Sequence, residues 1–322
     1  MKILVFFYAC SPESQKFYVP LQVKFIIMQK LTIHTINYLR SGYEENDITP
    51  EDYISSIAEY DAQGNIISEN SYNPDATLQS ATVTEYDDNH HPLLVKNYDG
   101  EGILCEQASY VYEDGRLMEQ KVCYGEGMPE YTTRMVYENG RLVRRDCYDE
   151  DEFSYTERKL SYDEKGQLVK DVEFDEDGNE MYVTVNQYDE KGQLIGRVRD
   201  EIQQKDRRSV SFEYDENGNK IKDLIYNYDE MLIAKIYYRY DADNRLVEEE
   251  EEDLDHYRKT CYEYEGEKPV KISVFNKEGN LQSWTAYTYD EQGRILTQDA
   301  YANDEVNPSV CRLMNHTDYT RE

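Results

Sequence analysis

Clustered acidic side chains are the part of this sequence whose type and spacing come nearest to a metal-binding or reactive site. The stretches "DEDGNE" from Asp175 and "DENGN" from Asp215 place carboxylates around one glycine. A calcium-binding EF-hand loop needs glycine at its sixth position and a bidentate glutamate at its twelfth, whereas Gly178 and Gly218 are each fourth. Tight turns have this composition, because aspartate caps the backbone and glycine adopts a positive φ cheaply. We therefore predict turns here, and no metal or cofactor.

Histidines and carboxylate pairs do not single out a catalytic centre. The chain has five histidines, and His90 and His91 follow two aspartates in "DDNHHPL". Adjacent residues of a strand or turn point apart, which favours an irregular turn over a set of metal ligands. Two acids could serve a glycosidase, but nothing distinguishes one pair among 67 acidic residues. Because nucleophile motifs and phosphate-binding glycine loops are also missing, the sequence predicts a protein that is not an enzyme.

Net charge is the feature that most suggests a function. The 67 acidic residues outnumber 35 basic ones, which gives a net charge of −32. Acidic turns that keep a long sheet soluble and its edges unpaired would explain this charge without any ligand. The alternative is an acidic surface for a basic protein partner, since complementary fields speed association. Nucleic acid is not an expected partner, because phosphate contacts need basic patches. The candidate contact residues interrupt the pattern of the chain as one run: Glu248, Glu249, Glu250, Glu251 and Glu252.

The elements that carry these acids repeat along the chain. "YDEKGQLV" begins at Tyr162, and "YDEKGQLI" begins 26 residues later at Tyr188. A weaker echo lies midway between such phrases, as in "CYDED" from Cys147 and "VFNKEGNL" from Val274. A steady period of this kind indicates a repeat array, whose structural unit is about half the period. The leading tyrosines recur in steps of 24 to 26 residues: Tyr60, Tyr86, Tyr112, Tyr137, Tyr162, Tyr188, Tyr214, Tyr240, Tyr264 and Tyr289.

Each half unit predicts one strand and one turn. Apolar and polar residues alternate before the turn, as at Tyr110 and Tyr112, and an aliphatic residue such as Leu117 follows the glycine. Alternation with a period of two is typical of a strand, so each full period holds two strands of a long antiparallel meander. Tyrosines on one face of adjacent strands would pack as cross-strand pairs. We expect a structural role for Tyr112, Tyr137, Tyr162, Tyr188, Tyr214, Tyr240 and Tyr289.

The "YDxxGxL/I" phrase, which covers about residues 58–306, resembles the repeat of the Rhs/YD-repeat family. "YENGRL" from Tyr137 is also similar, more weakly, to MORN-type antitoxin repeats, although their regular tryptophans and extra glycines are missing. The resemblance implies a strip of β-hairpins, which in large Rhs proteins spirals into a shell around a toxin. About 20 strands at ~4.8 Å each make a strip of roughly 95 Å. We therefore expect an all-β fold, an elongated antiparallel meander that forms an open, single-layer curved sheet or a β-solenoid.

Composition divides the chain into four regions. Residues 1–27 are a weak signal-like segment or an extension upstream of a start at Met28. Residues 28–57 are expected to cap the array, with "KLTIHTINYLR" as a strand and "TPEDYISSI" as a capped helix or first strand. Residues 58–306 hold ten repeats, and residues 307–322 form a tail.

No apolar stretch is long enough for a transmembrane span. Cys123 and Cys147 lie two strands apart, too far for a disulfide, which favours the cytoplasm; the alternative is export or lipid anchoring through the N-terminal segment.

Two hypotheses on function follow from these patterns. The first is a non-catalytic acidic repeat protein that binds a basic protein, as an immunity or antitoxin-like module would. The second is a structural or cell-surface repeat protein that binds carbohydrate through exposed tyrosines.

Overall fold

The computed structural model of the protein describes residues 29–40, 48–125, 130–149, 152–304 and 311–322. Regular structure in these segments consists of strands alone, and none of them contains a helix long and apolar enough to cross a membrane. The predicted strand "KLTIHTINYLR" is confirmed, and "TPEDYISSI" also lies in a strand. The strands are β1 (Gln29–Arg40), β2 (Ile48–Tyr60), β3 (Ile66–Tyr72), β4 (Leu78–Tyr86), β5 (Pro92–Asp99), β6 (Leu104–Glu113), β7 (Arg116–Cys123), β8 (Glu130–Glu138), β9 (Arg141–Asp149), β10 (Glu152–Tyr162), β11 (Leu168–Phe174), β12 (Glu180–Tyr188), β13 (Leu194–Glu201), β14 (Asp206–Tyr214), β15 (Lys220–Tyr226), β16 (Leu232–Tyr240), β17 (Leu246–Asp253), β18 (Tyr257–Glu265), β19 (Lys268–Phe275), β20 (Leu281–Tyr289), β21 (Ile295–Asn303) and β22 (Cys311–Arg321).

All strands belong to one sheet, in which each strand pairs antiparallel with its neighbours in the chain. The last strand returns to pair with the first, from Leu31 opposite Arg321 to Asn37 opposite Asn315. Just beyond this ladder, the main chains of residues 30 and 322 exchange two hydrogen bonds of 2.9 Å. The described strands therefore form a closed barrel of 22 antiparallel strands.

The predicted open curved sheet or solenoid is wrong, whereas the all-β part of the prediction is confirmed. The pairing of β1 with β22 overturns the open sheet. A physical cause lies at the repeated tyrosines, because the register shifts at each of the ten. Glu59 pairs with Ser68, for example, but Tyr60 pairs with Ile66. Such a bulge bends the strand and increases its twist, so a bulge in every repeat curls the sheet toward closure.

The turns form two rims, one at each end of the barrel. The first rim holds the turns after even-numbered strands, which begin at the repeat tyrosine, and the second rim holds the turns after odd-numbered strands. Aspartate follows the repeat tyrosine in seven of these ten first-rim turns, and glutamate follows it in three. In the first of the YD turns, the Asp61 carboxylate accepts hydrogen bonds of 2.9 Å from the amides of Gln63 and Asn65. Gly64 has a φ of 88° and donates its amide to the Asp61 carbonyl at 3.2 Å. The repeated aspartate and glycine close this hairpin, and in two other turns His90 and Asn244 adopt the positive φ in place of glycine.

The interior of the barrel is not filled by a conventional core. At ~4.8 Å per strand the circumference is about 105 Å, so a round barrel of this size is roughly 30 Å across; side chains fill the interior of barrels of about eight strands. Five apolar side chains of the described residues are buried: Ala58, Ile67, Ala108, Met135 and Val172. Strands approach within 8 Å between Cα atoms only as sheet neighbours, or when they flank a shared neighbour as β20 and β22 do. Stability therefore comes from contacts along the sheet.

Candidate partner-binding surfaces

The predicted contact run, Glu248–Glu252, lies in β17 between two strands that carry basic residues. Side chains alternate across a strand, so residues 248, 250 and 252 share one face and residues 249 and 251 share the other. The Glu248 carboxylate lies 2.7 Å from both Lys259 of β18 and Arg239 of β16. Partial burial opposes ionisation of Glu248, but the hydrogen bond and charge of Lys259, together with Arg239, outweigh it and lower the pKa of this carboxyl.

Three other members of the run also have basic partners, either in β18 or in the turn after β19. Glu252 lies 2.8 Å from Lys277, whose hydrogen bond lowers the pKa of that carboxyl. On the opposite face, Arg258 lies 3.0 Å from Glu251 and 3.8 Å from Glu249. The run is therefore a ladder of ion pairs across strands, and the charge that it offers to a partner is smaller than the sequence suggests.

The predicted structural tyrosines tie neighbouring strands together at the first rim. The Tyr188 hydroxyl, at the end of β12, donates to the Leu168 carbonyl at the start of β11, at 3.0 Å. Tyr112 is different, since its ring stacks on His91 with centroids 4.6 Å apart. The hydroxyl bond recurs at 2.6 to 3.0 Å from Tyr137, Tyr162, Tyr214, Tyr240 and Tyr289.

Basic residues that follow the turn glycine are a feature that the sequence reasoning missed. The guanidinium of Arg116 lies 5.9 Å from the ring centroid of Tyr137, and Arg141 lies 5.8 Å from that of Tyr162. Each cation thus sits over the tyrosine of the next repeat, where cation–π attraction contributes roughly 0.5–1 kcal/mol at an exposed site. The available signal was a basic residue at a constant spacing of 21 residues before a repeat tyrosine.

Buried aspartates in mid-strand were also missed. Asp146 of β9 is 2 % exposed, and it accepts hydrogen bonds of 2.8 Å from Thr156 and from Arg144. Asp223 of β15 is 6 % exposed and lies 2.7 Å from Lys220. Buried carboxylates of this kind need a partner, because a buried unpaired charge is costly. Asp146 bonds Thr156 of β10, and Asp223 accepts a hydrogen bond of 2.9 Å from the Tyr238 hydroxyl of β16, so both acids link adjacent strands.

The acidic turns are built as the sequence predicts. The Asp175 carboxylate accepts amide hydrogen bonds from Asn179 at 2.8 Å and from Asp177 at 3.1 Å, and the bond from Asn179 lowers the pKa of Asp175. The side chain of Asn219 lowers the pKa of Asp215 in the same way. Among the described residues, no group of three or more histidine, cysteine or acidic side chains is arranged to hold a metal ion. These carboxylates are ionised turn caps.

A histidine–carboxylate cluster crosses the line where the barrel closes. His316 of β22 lies 2.6 Å from Asp299 of β21 and 3.1 Å from Asp318. His34 of β1 lies 2.5 Å from Asp52 of β2 and 3.9 Å from Asp318. The hydrogen bond to Asp299 and the charge of Asp318 raise the pKa of His316 against the opposing effect of burial. The cluster joins four strands and makes the closure sensitive to protonation.

Comparison with known proteins gives one family and several distant structures. A family described as "Uncharacterised protein" matches residues 183–305. A search of curated proteins gave no match. The TcdB2-TccC3 crystal structure is 13% identical, with 90% of this chain and 20% of that chain covered and a TM-score of 0.35. A porin-like protein from Bacteroides uniformis is 11% identical, with 90% and 97% covered and a TM-score of 0.33. This chain thus spans about a fifth of the TcdB2-TccC3 chain.

Proposed function

We propose that this chain is a non-catalytic acidic repeat protein of the cytoplasm that binds a basic protein, as an immunity or antitoxin-like module does. The observation that carries the proposal is the net charge of −32. Ion pairs within the sheet engage basic residues such as Arg239, Arg258 and Lys259, so the excess carboxylates set the field that an approaching protein meets. Such a field raises the rate of association with a cationic partner and weakens with salt.

We also propose that the repeats are of the YD type. Support comes from the repeated local chemistry, in which a tyrosine hydroxyl bonds a carbonyl of the preceding strand and the next residue, an aspartate, caps the turn. In the repeat that begins at Tyr188, for example, Asp189 accepts a hydrogen bond of 2.8 Å from the amide of Gln193.

Partner capture over a salt series tests the proposed activity. The chain from Met28 is immobilised, incubated with native lysate at low salt and washed with increasing salt. A single basic protein released by moderate salt, and rebinding of that protein after purification, would support the proposal. Recovery of no protein at low salt would contradict it.

Two matched variants test the predicted contact run. In the first, glutamine replaces residues 248–252; in the second, glutamine replaces five turn glutamates, Glu101, Glu164, Glu190, Glu216 and Glu291. Both lose five charges, so any long-range effect of net charge is equal. If the run is the contact, the first variant binds the purified partner more weakly than the second. Equal binding would assign the run a role within the sheet only.

A carbohydrate-binding surface protein is the second candidate. The observation that favours it is a group of exposed tyrosines, with Tyr124 and Tyr131 having ring centroids 6.4 Å apart, because aromatic faces pack on apolar surfaces while their polar ends stay wet. A glycan array probed with the chain is the direct measurement. Binding to a glycan that is lost in a Tyr124→Ala, Tyr131→Ala variant would favour this candidate, and an empty array would remove it.

A further inference from the structure

Large exposed apolar side chains are concentrated at one end of the barrel. Within the described segments, all but one of the large apolar side chains that are at least half exposed lie in or beside turns of the second rim. The exception is Val111 of β6. The second-rim residues are Leu39, Ile103, Tyr124, Tyr131, Phe153, Tyr228, Met231 and Leu254.

Three consecutive turns of the second rim carry Tyr228, Met231 and Leu254 of this set. The segments cover residues 202–205, 227–231 and 253–256, the last of which includes the final residue of β17, and each lies two strands, about 10 Å, from the next. We call Ile202, Tyr228, Met231 and Leu254 the apolar rim patch. Leu254 is 82% exposed and Tyr228 is 61% exposed. Aromatic residues and methionine are enriched in the cores of protein interfaces, so the patch has the composition of a binding surface.

The first rim provides an internal comparison. Its turns are tied to one another, since Lys165 donates to the Glu190 carbonyl at 3.1 Å and Gln167 donates to the Gly192 carbonyl at 3.0 Å. Four apolar residues at the first or second position after its turns are 37 to 41% exposed: Ile66, Leu93, Ile195 and Leu296. The high exposure at the second rim is therefore not a general consequence of placing an apolar residue at a hairpin.

Charge around the patch identifies the chemistry of its occupant. Lys205 is the one lysine in the three turns. Two nearby arginines are already engaged, Arg207 with Asp200 at 2.6 Å and Arg208 with Asp206 at 3.7 Å. Like charges would repel a second copy of this chain or an anionic lipid surface, whereas lysine and arginine side chains would be attracted. The acids in the three turns are Asp229, Glu230, Asp253 and Asp255.

We infer that the apolar rim patch is the surface on which the basic partner docks, and that the partner presents an apolar centre surrounded by lysine or arginine. This inference rests on the proposed function and assigns it a location. Apolar side chains at the centre of an interface give most of the affinity, while charges at the edge set the rate and specificity of association. The patch lies directly beyond Glu251 and Glu252 in the chain, so the predicted acidic run extends the same surface.

Selection from a random dodecapeptide library displayed on phage tests the inference without knowledge of the partner. Wild-type protein is the bait, and the enriched peptides are synthesised and titrated by fluorescence polarisation. The patch variant is Tyr228→Ser, Met231→Ser, Leu254→Ser. The control variant is Leu93→Ser, Ile195→Ser, Leu296→Ser, which removes three apolar side chains from the first rim. All six side chains are at least 40% exposed, and thermal unfolding verifies that both variants fold.

The expected result is enrichment of peptides that combine lysine or arginine with apolar residues. Their dissociation constant should rise by about 10- to 100-fold on the patch variant, as expected when interface anchors are truncated, and should stay unchanged on the control variant. Equal affinity for both variants would overturn the inference, as would enrichment of peptides that lack either class of residue.

The outcomes separate the location from the function itself. If basic peptides are released by salt but bind the patch variant as tightly as the wild type, the proposed function stands and the apolar rim patch is rejected as the docking surface. Failure to enrich any basic peptide would reject the proposed function. A second copy of this chain is the other occupant to test, and sedimentation velocity measures it. If the wild type is a dimer and the patch variant is a monomer, the patch binds a second copy and the inference is overturned.

Discussion

A buried carboxylate ties the first strand of the barrel to the last, and its removal gives a quantitative prediction. Asp304, directly after β21, forms ion pairs with Arg40 of β1 and with Arg312 of β22, the latter at 3.1 Å. Their side chains are 9 to 13% exposed, and Arg312 also donates to the Tyr38 carbonyl at 2.8 Å. Replacing Asp304 by alanine removes a carboxylate that pairs with two buried guanidinium groups. Loss of one partner from a buried pair costs about 3–5 kcal/mol.

This cost should appear as local opening of the closure. At 1.36 kcal/mol for each factor of ten, β1 and β22 would open roughly 10²- to 10⁴-fold more often in the Asp304→Ala variant. Hydrogen–deuterium exchange by mass spectrometry measures this as faster exchange in β1 and β22, while β11 and β12 on the far side of the ring exchange as in the wild type. The described strands contact only their near neighbours in the sheet, so the faster exchange should stay confined to the strands around the closure.

A surface ion pair is the matched control for this prediction. Glu213 lies 2.8 Å from Lys222 but is 52% exposed, so Glu213→Ala should cost less than about 1 kcal/mol and leave exchange at the closure unchanged. If Asp304→Ala also left exchange in β1 and β22 at the wild-type rate, the closure would not depend on the buried carboxylate, and the argument would be refuted.

Three further predictions test other contacts. Cysteines in place of Asn37 and Asn315, whose side chains are 2.7 Å apart, should form a disulfide visible on a non-reducing gel in a background without native cysteines; an open strip would leave them uncrosslinked. His316 has a raised pKa in the folded state, so its contribution to stability is full below its unfolded pKa of about 6.5 and is lost as pH rises through the folded value. The difference in melting temperature between wild type and His316→Gln should therefore shrink with rising pH, and a difference that grew would reverse the sign argument. Tyr188→Phe should cost about 0.5–1.5 kcal/mol through its lost backbone hydrogen bond, whereas Tyr228→Phe at the exposed rim should be neutral, and equal effects would contradict the structural role.

The strands and turns could be predicted from sequence because their causes are local. Asp61 and Gly64 close a hairpin through bonds to residues at most four positions away, and such bonds depend on residue type at fixed offsets. Closure could not be predicted in this way. The contacts at the closure join Arg40 to Asp304 and Asn37 to Asn315. The repeat period of the sequence does not predict that the two ends of the array pair with each other.

The role of the acidic run illustrates a second limit. Five successive glutamates appear in the sequence as one block of charge, but a strand divides them between two faces. Whether they are neutralised depends on the register with β16 and β18, which places Arg239 opposite Glu248. That register follows from the bulge at each repeat tyrosine. The pairing of Arg239 with Glu248 can therefore be predicted only when the position of the bulge is known.

The negative charge of this protein has two origins, and they differ in what they offer to a partner. Turn aspartates such as Asp61 and Asp215 cap the backbone. Burial opposes their ionisation, but the hydrogen bonds that they accept outweigh it and lower their pKa. Their positions are fixed by the fold, so they are spaced two strands, or about 10 Å, apart along each rim. The side chains of other turn acids do not cap the backbone, as at Glu216 next to Asp215 and at Asp229 and Glu230 in a turn that Asn227 caps. Since the fold alone explains the first group, a functional argument from charge has to rest on the second group, and at the apolar rim patch this group lies beside exposed apolar side chains.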